Sequence, residues 1–128
     1  MKTKPTKKET KVVLDTNFLV LPQTKKIDIF KQIKQKKPRA KFIVLKSIQK
    51  ELKEMNTKAS KVAQQLIKQK NIEIDTIKTD KTHTDDKIIE YAKKKNAEVA
   101  TNDKELKKRC QEKQIPVIYL RSNKKIET

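Results

Sequence analysis

The sequence predicts an α/β fold, a mostly parallel sheet flanked by helices, and three observations carry that prediction. Short β-rich runs, among them KVVLD, FIVL and IPVIYL, alternate with stretches whose apolar residues recur at three- and four-residue spacing. Hydrophobic residues make up 34% of the chain yet gather in runs, which a disordered lysine-rich chain would lack. The 128 residues are the size of one domain with one core.

In chain order, residues 1–10 are polar and basic and read as a flexible arm able to lie along phosphates. Strands are expected at 11–15, 41–45, 71–74, 97–101 and 116–120. The helices between them follow from apolar spacing. Ile27, Phe30 and Ile33 mark the first, and Ile48, Leu52 and Met55 the second. Ala59, Val62, Ala63, Leu66 and Ile67 mark the third, at i, i+3, i+4, i+7 and i+8, with Asn71 as its stop. Ile88, Ile89 and Ala92 mark the fourth, Leu106 and Cys110 the fifth. Cys110 therefore reads as core, and a lone cysteine forms neither an internal disulfide nor a cysteine-rich zinc site. The domain is expected to span 11–121, with 122–128 as a basic tail.

Charge bounds the partners. A formal +18 exceeds what solubility needs and points to a polyanion, nucleic acid first. Of the 34 cations only Arg39, Arg109 and Arg121 are arginine. Lysine is a point charge rather than a fork for base edges, so binding should follow backbone and shape more than sequence. No apolar stretch approaches the roughly 20 residues that cross a bilayer, and no apolar region follows the charged N-terminus, so the expected setting is cytoplasmic, with no membrane. The chain has no glycine, which excludes the phosphate loop and the dinucleotide fingerprint.

In an open parallel sheet, ligands bind at the carboxyl ends of the strands. Four chain segments deliver acids there: Asp15 after VVL, Glu51 in the helix after FIVL, Asp85 and Asp86 at the start of the fourth helix, and Asp103 in TNDKEL. Taken singly, each has a plain structural role as a cap, a first-turn acid or a lysine partner. Jointly, carboxylates on one edge of so basic a chain would repel one another unless cations sat between them, and oxygen ligands suit magnesium or manganese.

The segments VVLDTNFL, SIQKEL, TDDKIIEYA and EVATNDKELKKR, in that order and separation, resemble the PIN-domain nucleases over about 11–121. VATNDKELKKR followed by IPVIYLR is the most specific part, and the likeness is to small archaeal members similar to the rRNA-processing endonuclease of the eukaryotic small-subunit processome. The resemblance implies a three-layer α/β/α sandwich and a Mg2+- or Mn2+-dependent endoribonuclease for single-stranded RNA, holding one or two ions and serving rRNA maturation. Carried over by position, Asp15, Glu51, Asp85 and Asp103 are the four catalytic and metal-binding acids, with Asp86 as a further ligand. The family's spacing to the helix alanine, here Ala92, selects Asp85 over Asp86 as the third acid. Asn17 matches a residue that orients the first acid, and Thr101 a hydroxyl near the metal water. The zinc-finger cysteines of some eukaryotic relatives are missing.

RNA contacts are expected from Lys104, Lys107, Lys108, Arg121, Lys124 and Lys125. His83 stands before Asp85 but reads as a surface residue, with Thr82 and Thr84 as capping candidates. The five aromatics do not form a stacking platform, and Phe18 is the one placed to border the site. Two alternatives stand beside an rRNA-processing enzyme: a VapC-type toxin, which would have an antitoxin partner, and a non-catalytic RNA-binding assembly factor. A phosphoacceptor receiver domain would need paired acids early in the chain, which are absent. An uncovered apolar edge would signal a homodimer.

Overall fold

The computed structural model of the protein describes residues 9–121 and 125–128. The expected arm lies almost wholly outside these residues, as does Lys124, although Thr10 already belongs to the first strand. Six strands form one sheet in the order β3-β2-β1-β4-β5-β6. They are β1 (Thr10–Leu14), β2 (Ala40–Leu45), β3 (Glu73–Asp75), β4 (Glu98–Ala100), β5 (Val117–Arg121) and β6 (Lys125–Glu127). The first five run parallel and β6 is antiparallel to β5. Val12, Val13 and Leu14 are all fully buried, as befits a central parallel strand covered on both faces.

Chain order runs one way from β1 through β2 to β3, then returns past β1 to β4 and β5. Right-handed crossovers therefore place helices on opposite faces for the two directions. The helices α4 (Lys46–Met55) and α5 (Lys58–Gln69) follow the first direction, with α4 packed on β2 and β3. The helices α6 (Thr84–Lys95) and α7 (Lys104–Glu112) follow the second, α6 on β1 and β4 and α7 on β5. The expected α/β/α sandwich is the observed one. Its strand order reverses between β1 and β4, which opens a crevice at their carboxyl ends.

Three expectations change. Within the stretch expected as a tail, residues 125–127 form β6, which registers Leu120 against Ile126, and Ile126 is fully buried with its N–H donating to Gln32 Oε1 at 3.0 Å. A single apolar residue among charges gives no periodicity to read. Met55, expected on the apolar stripe of α4, is 41% exposed in the last turn of that helix. The segment after β1 contains two short helices that the spacing did not reveal, α1 (Thr16–Leu19) and α2 (Leu21–Thr24), ahead of α3 (Ile29–Lys36). Four residues make a single turn, too short to show a helical period.

Without glycine, the left-handed turns fall to other residues. Asn56, Asn71 and Asn96 take φ of 50°, 51° and 55° at or just after the ends of α4, α5 and α6, as the expected stop at Asn71 requires. Met55 is the one large hydrophobic exposed among the described residues.

Candidate active site

The reversal point brings together the loop after β1 and the loop after β4. Asp15 follows Leu14 and is 6% exposed; its N–H donates to the Ala100 carbonyl at 3.0 Å, which ties the two strand ends. Its Oδ1 accepts from the Thr16 N–H at 2.8 Å and so caps α1. Its Oδ2 accepts from the buried Thr101 hydroxyl at 2.7 Å. The turn-holding role and a place in an acidic site thus coexist in one carboxylate. Burial dominates its titration and pushes its pKa up to about 6, against the two hydrogen bonds, with Asp85 and Asp103 adding repulsion.

Thr101 links Asp15 to the next acid, because the same hydroxyl accepts from the Asp103 N–H at 3.0 Å. Asp103 then caps α7, its Oδ1 accepting from the N–H groups of Glu105 at 2.9 Å and Leu106 at 3.1 Å. Asp85 lies half-buried in the first turn of α6 and accepts no hydrogen bond among the described residues. Burial raises its pKa first, then the charge of Asp103, and the Asp86 and Glu51 charges add to this while Arg109 opposes it. Glu51, from the second turn of α4, is clamped by two hydroxyls: Thr16 Oγ1 donates to Oε1 at 2.6 Å and Thr84 Oγ1 donates to Oε2 at 2.5 Å. That clamp joins α1, α4 and α6 at the carboxyl edge of the sheet.

Asp15, Asp85, Asp103 and Glu51 therefore share one electrostatic neighbourhood. They do not stand as a closed cage: among the described residues no three acidic, histidine or cysteine side chains are grouped tightly enough to hold an ion. The reason is local. Asp103 is turned to its helix cap, Glu51 is held by hydroxyls, and bare carboxylates repel. The donor set is nonetheless all oxygen and carries unneutralised negative charge, which fits a hard divalent cation.

Other expected residues stand differently. Asp86 adds its charge to the field at Asp85 but is paired, its carboxylate accepting from Arg109 Nη2 at 2.6 Å, and that pairing lowers its pKa. Asn17 holds the β4 loop rather than Asp15, its Oδ1 accepting from the Asn102 N–H at 3.2 Å. Orienting the first acid falls to Thr101. Phe18 is fully buried and cannot touch a substrate. His83 precedes α6, exposed and making no side-chain cap, while Thr84 serves Glu51. Cys110 is buried core, and burial pushes its thiol up to about 11.

Among the expected RNA contacts, Lys104, Lys108 and Lys125 are exposed, Lys107 Nζ lies 3.4 Å from the Tyr119 ring centroid, and Arg121 pairs with Glu127 at 3.6 Å. Sequence reasoning missed a second set. Lys46, Lys50, Lys53 and Lys87 line a groove of about 430 Å³ along α4, with Lys50 adjoining Glu51 in sequence and Lys87 two residues after Asp85. Ser47, one turn before Glu51, buries an Oγ that has no hydrogen-bond partner among the described residues. The clamp hydroxyls were also missed, although Thr16 adjoins Asp15 and Thr84 adjoins Asp85.

A family model described as a PIN like domain matches residues 12–123. Ribonuclease VapC4 of Methanocaldococcus jannaschii is 34% identical over 126 residues, covering 91% of this chain and 95% of that protein. Ribonuclease VapC9 of Archaeoglobus fulgidus is 29% identical over 116 residues, covering 89% and 85%. Among solved structures, the PIN domain endonuclease Utp24 superposes with a TM-score of 0.79 at 27% identity, covering 91% of this chain and 88% of that one. A domain of a functionally unknown protein from Methanocaldococcus jannaschii shares the fold, with a TM-score of 0.60 at 17% identity over 88% and 92%. No helix among the described residues is long and apolar enough to cross a membrane.

Proposed function

The chain belongs to the PIN-like domain family, and we propose that it is a metal-dependent endoribonuclease that hydrolyses phosphodiester bonds of single-stranded RNA. The observation that carries the reading is Asp15: a buried carboxylate at the strand-order reversal, pushed up to about 6 by burial and pressed further by Asp85 and Asp103. A protein keeps such repulsion where function uses it.

Asp15, Asp85 and Asp103 would hold Mg2+ or Mn2+, one or two ions, with Glu51 completing the acidic set. When bound, the cation activates a water and neutralises charge on the phosphoryl group. The chain's own residues prepare the place for it. Thr101 fixes the Asp15 carboxylate and the Asp103 backbone with one hydroxyl. Thr16 and Thr84 fix Glu51. The lysines of the α4 groove and of α7 draw in the RNA backbone and lend little base selectivity. Hydrolysis would leave a 5′-phosphate and a 3′-hydroxyl.

Two physiological settings fit this chemistry. The likeness to the PIN domain endonuclease Utp24 supports endonuclease action, for which the sequence resemblance suggests rRNA maturation as the setting; the likeness to two proteins named VapC ribonucleases suggests instead a toxin with an antitoxin partner. Growth arrest on expression, relieved by the product of a neighbouring gene, selects the toxin; accumulation of an uncut rRNA precursor on deletion selects processing. The activity itself is tested by incubating purified protein with unstructured RNA in Mn2+. Wild type cuts and Asp15→Asn does not while staying folded; steeply salt-dependent RNA binding with no cleavage in any metal would leave a binding factor instead.

A further inference from the structure

A second cleft opens at the opposite edge of the sheet, and its lining is unlike that of the acidic site. The register Thr10↔Ala40 sets the start of β2 level with the start of β1, so Ala40 and Phe42 lie towards the amino ends of strands whose carboxyl ends lead to Asp15 and Glu51. At about 3.3 Å per residue the two edges stand on the order of 15 Å apart. The cleft there has a volume of about 500 Å³, in the range of small-ligand pockets. Two rings form its floor: Phe30 and Phe42 meet edge to face, with centroids 5.0 Å apart and planes at 86°.

Cations surround the rings. Lys34 Nζ lies 6.0 Å from the Phe42 centroid and Lys70 Nζ 5.5 Å from that of Phe30. Lys31 and Lys41 complete the rim; Lys41 is joined to Glu73, the one acid of the lining, at 3.0 Å. Of the apolar lining residues, Phe30 is 4% exposed, Ala40 4% and Ile72 8%, whereas Phe42 is partly open. The accessible apolar surface is therefore one ring wide. An amphipathic helix docks through a row of anchors at i, i+3, i+4 and i+7, which one ring cannot receive. A nucleobase needs a single aromatic face for stacking and cations within reach of its phosphates.

We infer that this cleft is a second RNA-binding site, in which Phe42 stacks an unpaired base while Lys31, Lys34 and Lys70 hold the flanking phosphates. It lies apart from the acidic edge, and it rests on the proposed function in naming the polyanion as RNA and the tethered strand as the one that edge cuts. The site gives the enzyme reach: an RNA long enough to touch both edges binds more tightly than a short one by raising the local concentration of the second segment.

The test is fluorescence anisotropy with the full chain in EDTA, using a labelled twelve-residue oligouridylate and an abasic ribose-phosphate strand of the same length. Phe42→Leu is expected to weaken oligouridylate binding about tenfold and to leave the abasic strand unchanged, because stacking is lost and charge is not. A Lys34→Gln/Lys70→Gln double variant, at exposed positions that burden folding little, is expected to weaken both strands and flatten the salt dependence. In Mn2+ both variants should cut a trinucleotide at the wild-type rate and raise KM for the long strand only. Wild-type affinity for oligouridylate in both variants overturns the inference. Cleavage with ring-independent binding sinks this site alone; ring-dependent binding without cleavage sinks the nuclease reading alone.

Discussion

Replacing Asp15 with asparagine should make the metal-free protein more stable near neutral pH while removing its activity. The carboxyl has an ordinary pKa of 3.8 and is raised to about 6 in the folded chain. A rise of about two units corresponds to about 3 kcal/mol. The folded state holds the Asp15 proton more firmly than the unfolded one, so between about pH 4 and pH 6 it binds more protons. Stability from this group therefore falls as pH rises through that window, and the full penalty is present above the folded pKa. Asparagine removes the charge and keeps an acceptor for the Thr16 N–H, now donating to Thr101 Oγ1 in place of accepting from it. Thr101 must then turn its own proton towards Asn17 Oδ1, 3.5 Å away, a poorer bond. Losing one good hydrogen bond costs about 1 kcal/mol. The net expectation at pH 7.5 is a gain of about 2 kcal/mol, or roughly 6–10 °C in Tm for a chain of this size. Urea titrations of both proteins in EDTA, from pH 7.5 to pH 4, measure it. The advantage of the variant should shrink with falling pH and reverse by pH 4. A variant that is less stable by the same amount at every pH would refute the electrostatic argument.

Other perturbations separate the parts of the site. Thr101→Val removes the hydroxyl that lowers the Asp15 pKa, so the acid limb of the pH-rate profile in Mn2+ should move up and activity at pH 7 fall roughly 10- to 100-fold. Thr84→Ala frees one Glu51 oxygen; activity should fall about tenfold and stability by about 1 kcal/mol, with Thr84→Ser restoring both, read by cleavage assay and urea titration. Ser47→Ala removes a buried hydroxyl that has no hydrogen-bond partner among the described residues and should stabilise by about 1 kcal/mol in the same titration.

The sheet was legible because its central strands are apolar on both faces, and the helices because α4, α5 and α6 repeat their apolar residues over ten residues or more. The acids were legible because a parallel sheet delivers residues after successive strands to one edge. What escaped has local causes. The α1 and α2 turns are too short to be periodic, and β6 is held by one apolar residue, Ile126. The spacing to Ala92 singled out Asp85 over its neighbour Asp86, but the pairing of Asp86 with Arg109 across from α6 was not visible in the sequence. The Thr16 and Thr84 clamp depends on three elements meeting, which no single segment announces.

The central claim is that Asp15, Asp85 and Asp103, with Glu51, form one cation site. Crystals soaked in manganese and measured near its absorption edge locate the ion directly by anomalous scattering. A peak within bonding distance of the Asp15 carboxylate, shared with Asp85 or Asp103, is the expected result. A peak elsewhere, with the Asp15 edge free of density at saturating manganese, would contradict it.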